Sequence, residues 1–174
     1  MRIGRLRTGE LLAFAGAVGL LITLFFDWFG LDLGSVRLPA GVQVAVNGNG
    51  LHQTGWASLG WFMVLLLCIQ IFGGLAITYM TLRRSTPAWP VGAAVLSISL
   101  GGLIFLILLV RVLTQPGLGG DLPNALVSVE LPAYLGLLFS ALIPAGAWIV
   151  LRDERTEAPE SAYTPPPARP VPGT

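Results

Sequence analysis

The residue types that ordinarily carry enzyme chemistry are scarce in this chain and do not fall at working spacings. The one histidine, His52, has no second histidine or cysteine at metal-ligand spacing, which argues against a zinc site. The one cysteine, Cys68, follows three leucines deep in an apolar run; it has no disulfide partner and does not sit where a lipid-attachment cysteine would. No serine lies in a Gly-x-Ser-x-Gly elbow, and no Asp–His pair lies within the apolar runs to activate one. Lysine is absent altogether, which removes Walker-type phosphate loops and Schiff-base chemistry. No catalytic, metal or cofactor residue is assigned, and the chain is expected not to be an enzyme.

What stands out instead is a small set of polar side chains set among apolar neighbours. Gln70 lies near the middle of a long apolar run, too far from either end to reach water. Its amide must find a partner on another segment, and Thr23, Ser97, Ser99 and Ser140 are the candidates. The amide could clamp helices together or line a solute path; a path normally recruits more than one polar group at mid-depth. Asp27 and Arg111 lie near the outer ends of two runs, where burying a charge would cost ~2.5–3.5 kcal/mol. They either pair across the mouth of a bundle or turn separately to the interface. Glu10 enters the first run beside Arg7, where a carboxylate suits the positive end of a helix.

The elements that must position these residues follow from composition. The 174 residues are 54% hydrophobic and only 11% charged, less than half the roughly 25% charged of soluble domains. The net charge of +1 recommends no nucleic-acid partner. Spanning ~30 Å of hydrocarbon takes ~20 apolar residues. Four stretches meet or approach that length: 11–29, 56–82, 91–113 and 131–151. They lack the alternation of barrel strands, so the expected fold is an all-α membrane protein, a four-transmembrane-helix bundle with two outer loops. Small-residue pairs (Ala13 with Ala17, Ala15 with Gly19, Ser97 with Gly101, Gly136 with Ser140), together with Gly73 and Gly74, allow close helix approach. Pro144 should kink the fourth run by freeing the Ser140 carbonyl.

Eight arginines flank the proposed inner ends (Arg2, Arg5, Arg7, Arg83, Arg84, Arg152, Arg155, Arg169), against Arg37 alone in the outer loops. The positive-inside rule then puts both termini in the cytoplasm of a multi-pass plasma-membrane protein. Trp28, Trp56, Trp61, Trp89 and Trp148 lie near run ends, as interface anchors do. The basic start and first apolar run could suggest a signal peptide, but the run is longer than a usual h-region and no small-x-small cleavage site follows. In the first outer loop, residues 35–46 followed by Asn47-Gly48-Asn49-Gly50 fit either a short hairpin or an irregular loop. In the second, Ala125 to Val129 could form a strand pairing with the first. Residues 1–155 make the membrane domain. The tail, 156–174, is Pro-rich and expected to be disordered; its Pro167-Ala168-Arg169-Pro170 matches PxxP only weakly.

Several short motifs resemble a family of small four-span integral membrane proteins of high-GC actinobacteria that has no assigned function. They are Gly9-Glu10, Leu24-Phe25-Phe26-Asp27-Trp28-Phe29, Gly55-Trp56, Val110-Arg111-Val112-Leu113 with Gln115-Pro116-Gly117, Ala133-Tyr134-Leu135-Gly136-Leu137-Leu138, and Arg152-Asp153-Glu154. Asp27 stands where that family often has a proline before the tryptophan. The likeness covers roughly residues 7–154 and implies four spans and no catalytic residue. The expected role is a non-enzymatic accessory or structural component partnered by the bilayer, by other membrane proteins or by further copies of itself. A small carrier or channel subunit and a sensor acting through the outer loops are the alternatives.

Overall fold

The computed structural model describes residues 7–31, 52–83, 88–114 and 127–156. Its elements, in chain order, are α1 (Thr8–Thr23), β1 (Asp27–Leu31), β2 (His52–Thr54), α2 (Gly55–Ser58), α3 (Gly60–Arg83), α4 (Ala88–Leu113), β3 (Val127–Val129) and α5 (Leu131–Thr156). The fold is mostly helical. Three helices are long and apolar enough to cross a membrane: Gly60–Arg83, Gly92–Leu113 and Leu131–Asp153. α1 is apolar but has 16 residues, about 24 Å at 1.5 Å per residue.

The four longer helices form a ring in the order α1, α3, α4, α5, with α3 and α5 also touching across it. Neighbours run antiparallel: Gly9 and Val150 meet at one end of the α1–α5 pair, and Gly19 and Phe139 towards the other. Missing side chains set this closest pairing. A Cβ on Gly146 would come within 2.5 Å of both the Ala13 nitrogen and the Gly9 carbonyl oxygen, so only glycine lets the two backbones meet there. Gly74 of α3 approaches the Ala13 carbonyl and the Ala17 methyl in the same way. Ala13 and Ala17 are fully buried, whereas Ala15 faces outward.

One end of the ring is closed by a three-stranded antiparallel sheet in the order β2-β1-β3. The sheet joins the expected helical bundle at the loop end, and it corrects the expectation of a first span reaching residue 29. α1 stops at Thr23 because its last turn tightens: Phe25 N–H donates to the Ile22 carbonyl and Phe26 N–H to that of Thr23, both at 3.1 Å. The Thr23 hydroxyl folds back onto the Leu20 carbonyl at 2.8 Å, and Trp28 Nε1 donates to the Thr23 carbonyl at 2.7 Å. Beyond that point the aromatic-rich segment finds two strand partners, which its hydrophobicity, interrupted by Asp27, could not announce. The register slips between Asp27 and Phe29, a bulge at Trp28. Consecutive strand residues normally face opposite ways; with the bulge, Trp28 and Phe29 are both fully buried. Trp28 is therefore a plug between Gly55 and Gly136, not an exposed anchor.

Val127–Val129 forms a strand, as the sequence allowed, but its partner is β1. Residues 35–50, the tail from 157 onward, Gln115-Pro116-Gly117 and the arginines at 2, 5, 37, 84 and 169 lie outside the described residues, as does the Trp89 side chain. The second expected span is also broken: α2 ends at Ser58, Leu59 caps it, and α3 begins at Gly60, whose φ of +73° favours glycine.

A continuous core runs from Trp28 and Phe29 through Leu24, Leu20, Leu67 and Ile104 to Ile143, and a smaller one joins Ile77, Ala94, Ala147 and Val150 at the other end. The outward faces are apolar as well, with Trp61 80% and Phe72 72% exposed. Helices that are hydrophobic all round are compatible with insertion in a membrane. If the α1–α5 contact sets the packing, Gly146→Val should lower the stability of the detergent-solubilised chain by ~1–3 kcal/mol or more. Gly102→Ala, where a Cβ meets nothing within 4 Å, should be neutral or slightly stabilising in the same thermal unfolding assay.

Candidate functional site

Gln70 is 3% exposed and joins its own helix α3 to two others through one amide. Its Nε2 donates to the Ser140 carbonyl at 2.9 Å and to the Gly101 carbonyl at 3.2 Å. Its Oε1 accepts from the Ser140 hydroxyl at 3.0 Å. The Ser140 carbonyl is available because Pro144, four residues on inside α5, has no N–H to give it. At Gly101 a notional Cβ would lie 3.6 Å from Nε2, an ordinary contact, so α4 comes this close without needing the glycine. Of the four side chains expected as partners, only Ser140 serves. Thr23 bonds the Leu20 carbonyl and Ser99 the Val95 carbonyl, while Ser97 bonds neither Gln70 nor any other described residue.

A second polar group forms at the sheet end. His52, Gly30 and Ser128 lie side by side across β2, β1 and β3. With no side chain at Gly30, its neighbours lean over the central strand. A Cβ there would lie 3.0 Å from both His52 Nδ1 and Glu130 Oε1, and 3.1 Å from Ser128 Oγ. The Ser128 hydroxyl donates to Glu130 Oε1 at 3.4 Å. An open cavity of about 280 Å³ is lined by Phe26, Asp27, His52, Glu130 and Pro132. Two carboxylates and an imidazole facing one cavity can exchange protons or hold a cationic group. Among the described residues, no three such side chains are arranged to hold a metal ion.

Asp27 is thus brought to His52 and Glu130 rather than to Arg111. Both Asp27 and Arg111 are exposed, and no ion pair joins them. The pairing read from their shared outer position fails because Asp27 sits on a strand over β2, while Arg111 points outward from the last turn of α4. There the guanidinium suits the negative end of the helix. Glu10, 4% exposed, accepts the Arg7 backbone N–H at 3.0 Å and so caps α1. Glu130 and Ser128 were missed in the sequence because strand pairing over about 100 residues of separation, which no local pattern encodes, brings them to His52. Trp56 Nε1, buried at the same end, has no hydrogen-bond partner among the described residues.

Compared with known proteins, the chain matches no family model, no curated protein and no solved structure.

Gln70→Leu should destabilise the chain by up to ~2 kcal/mol, the range of interhelical hydrogen bonds in membranes. Pro144→Ala restores an N–H to the Ser140 carbonyl, so the cost of Gln70→Leu should be smaller in that background. A double-mutant cycle by thermal unfolding checks this; additive costs would disconnect the proline from the glutamine. For Asp27→Asn and Arg111→Gln the same assay should return additive effects.

Proposed function

We propose that this chain is a four-span plasma-membrane protein without enzymatic activity, an accessory or structural component that acts through its helix faces and its sheet end. The observation that carries this reading is the use made of Gln70. The one strongly polar side chain at mid-depth spends its donors and acceptor on holding α3, α4 and α5 together. A solute path needs polar groups at that depth with capacity to spare. α1 is the fourth span in this reading. Its 16 helical residues lie along α5 and are extended by Leu24 to Phe26 towards the sheet. The sheet end faces outward and both termini inward, on the arginine asymmetry.

A second reading, a sensor acting through the outer face, is favoured by one feature: the cavity that gathers Asp27, His52 and Glu130 over the sheet. Those strands continue directly into α2 and α5, so a ligand bound there would pull on helix ends.

A reporter fused after Thr174 should be active only in the cytoplasm, and one inserted near Asn49 only outside. Activity of the C-terminal fusion on the outer side overturns the four-span placement.

A further inference from the structure

Between α3 and α4 the ring opens sideways into a crevice of about 250 Å³, against the middle of α3 and the first half of α4. Gly73 and Ala76 on one wall and Ala93 and Gly101 on the other leave the room, and Gln70 lies at its base with its amide already engaged. Small residues alone would make this a packing defect filled by lipid. Ser97 makes it more than that. Its side chain lines the crevice, is only 8% exposed, and its hydroxyl lies 3.0 Å from where a Cβ of Gly73 would be. That hydroxyl bonds no described residue. Other hydroxyls in these helices do not go unpaired: Ser99 bonds the Val95 carbonyl, Thr78 that of Gly74, Thr81 that of Ile77, and Ser140 the Gln70 amide.

An O–H left without an acceptor in apolar surroundings costs free energy that a bound acceptor would recover. A water molecule does not meet the need, because it requires two to four polar partners and the crevice has only one uncommitted. Nor does an acyl chain, whose only oxygens lie at headgroup level. The volume exceeds the ~150 Å³ of an apolar cavity that admits benzene. We propose that the α3–α4 crevice binds a lipid-soluble molecule with a ring-sized apolar body and a single carbonyl oxygen, which accepts the Ser97 hydroxyl proton. Such a ligand enters from the hydrocarbon side. The proposal rests on the bilayer placement above for the ligand's route and for the exclusion of an acyl chain; binding to purified protein is read independently of what the reporter fusions show.

The test uses the full chain in lipid nanodiscs and two probes: camphor, a compact bicyclic ketone, and bornane, the same skeleton without the carbonyl. Affinities are read from the ligand-dependent rise in unfolding temperature. Camphor should bind more tightly than bornane. Ser97→Ala should weaken camphor about fivefold, the equivalent of one ordinary hydrogen bond, and leave bornane unchanged. Ala76→Phe fills the crevice and should abolish both; Ala93→Phe does the same from the facing wall should the first variant not fold. Equal binding of the two probes, or indifference of camphor to Ser97→Ala, overturns the proposal in favour of an apolar filler. Loss of a dimer in Ala76→Phe, with no response to camphor, overturns it in favour of a second copy seated in the crevice.

Discussion

The architecture depends on a missing hydrogen. Pro144 interrupts α5 and leaves the Ser140 carbonyl without its helical donor, well away from either end. Ser140 is fully buried, where an unsatisfied carbonyl is costly and the donor must come from another helix. Gln70 supplies it at 2.9 Å and accepts the hydroxyl of the same serine in return. The second Nε2 proton goes to Gly101 of α4. One amide thereby fixes the depth and rotation of three helices against one another. A purely apolar seam tolerates sliding; this one specifies a register.

The other side of the ring is held by shape. α1 has no polar side chain at mid-depth, and it meets α5 through glycines that bring backbone against backbone. The Thr78 hydroxyl donates to its Glu10 carbonyl at 3.3 Å, towards the end opposite the sheet. Close packing and a polar lock thus divide the ring between them. The sheet then closes one end, with Trp28 driven between Gly55 and Gly136 by the bulge in β1. Polar groups follow the same division. At mid-depth they are consumed in structure, apart from Ser97; at the sheet end Asp27, His52 and Glu130 are displayed around a cavity.

Much of the helical frame was legible in the residues themselves. Unbroken apolar runs of this length have few other forms, so α3, α4 and α5 fall close to where hydropathy puts them. Gln70 was conspicuous as an amide in a run of leucine and isoleucine, and Pro144 announced a free carbonyl at Ser140 by simple chain geometry. What joined these two observations was distance: 70 residues separate the glutamine from the serine, and nothing local links them.

The tertiary structure decided the rest. Hydrophobicity without periodicity cannot say where a helix yields to a strand, so the turn at Thr23, the strand after it and the break at Gly60 were invisible until partners were in place. Two charges near one edge, Asp27 and Arg111, were left free to pair or to turn apart because sequence gives depth but not azimuth around the ring. The same limit hid the meeting of His52, Ser128 and Glu130 over Gly30, and left Ser97 indistinguishable from the serine that does bond Gln70. Composition and run length determine what can sit in a bilayer; which polar groups meet there is set by helix rotation and strand register, quantities that exist only between segments.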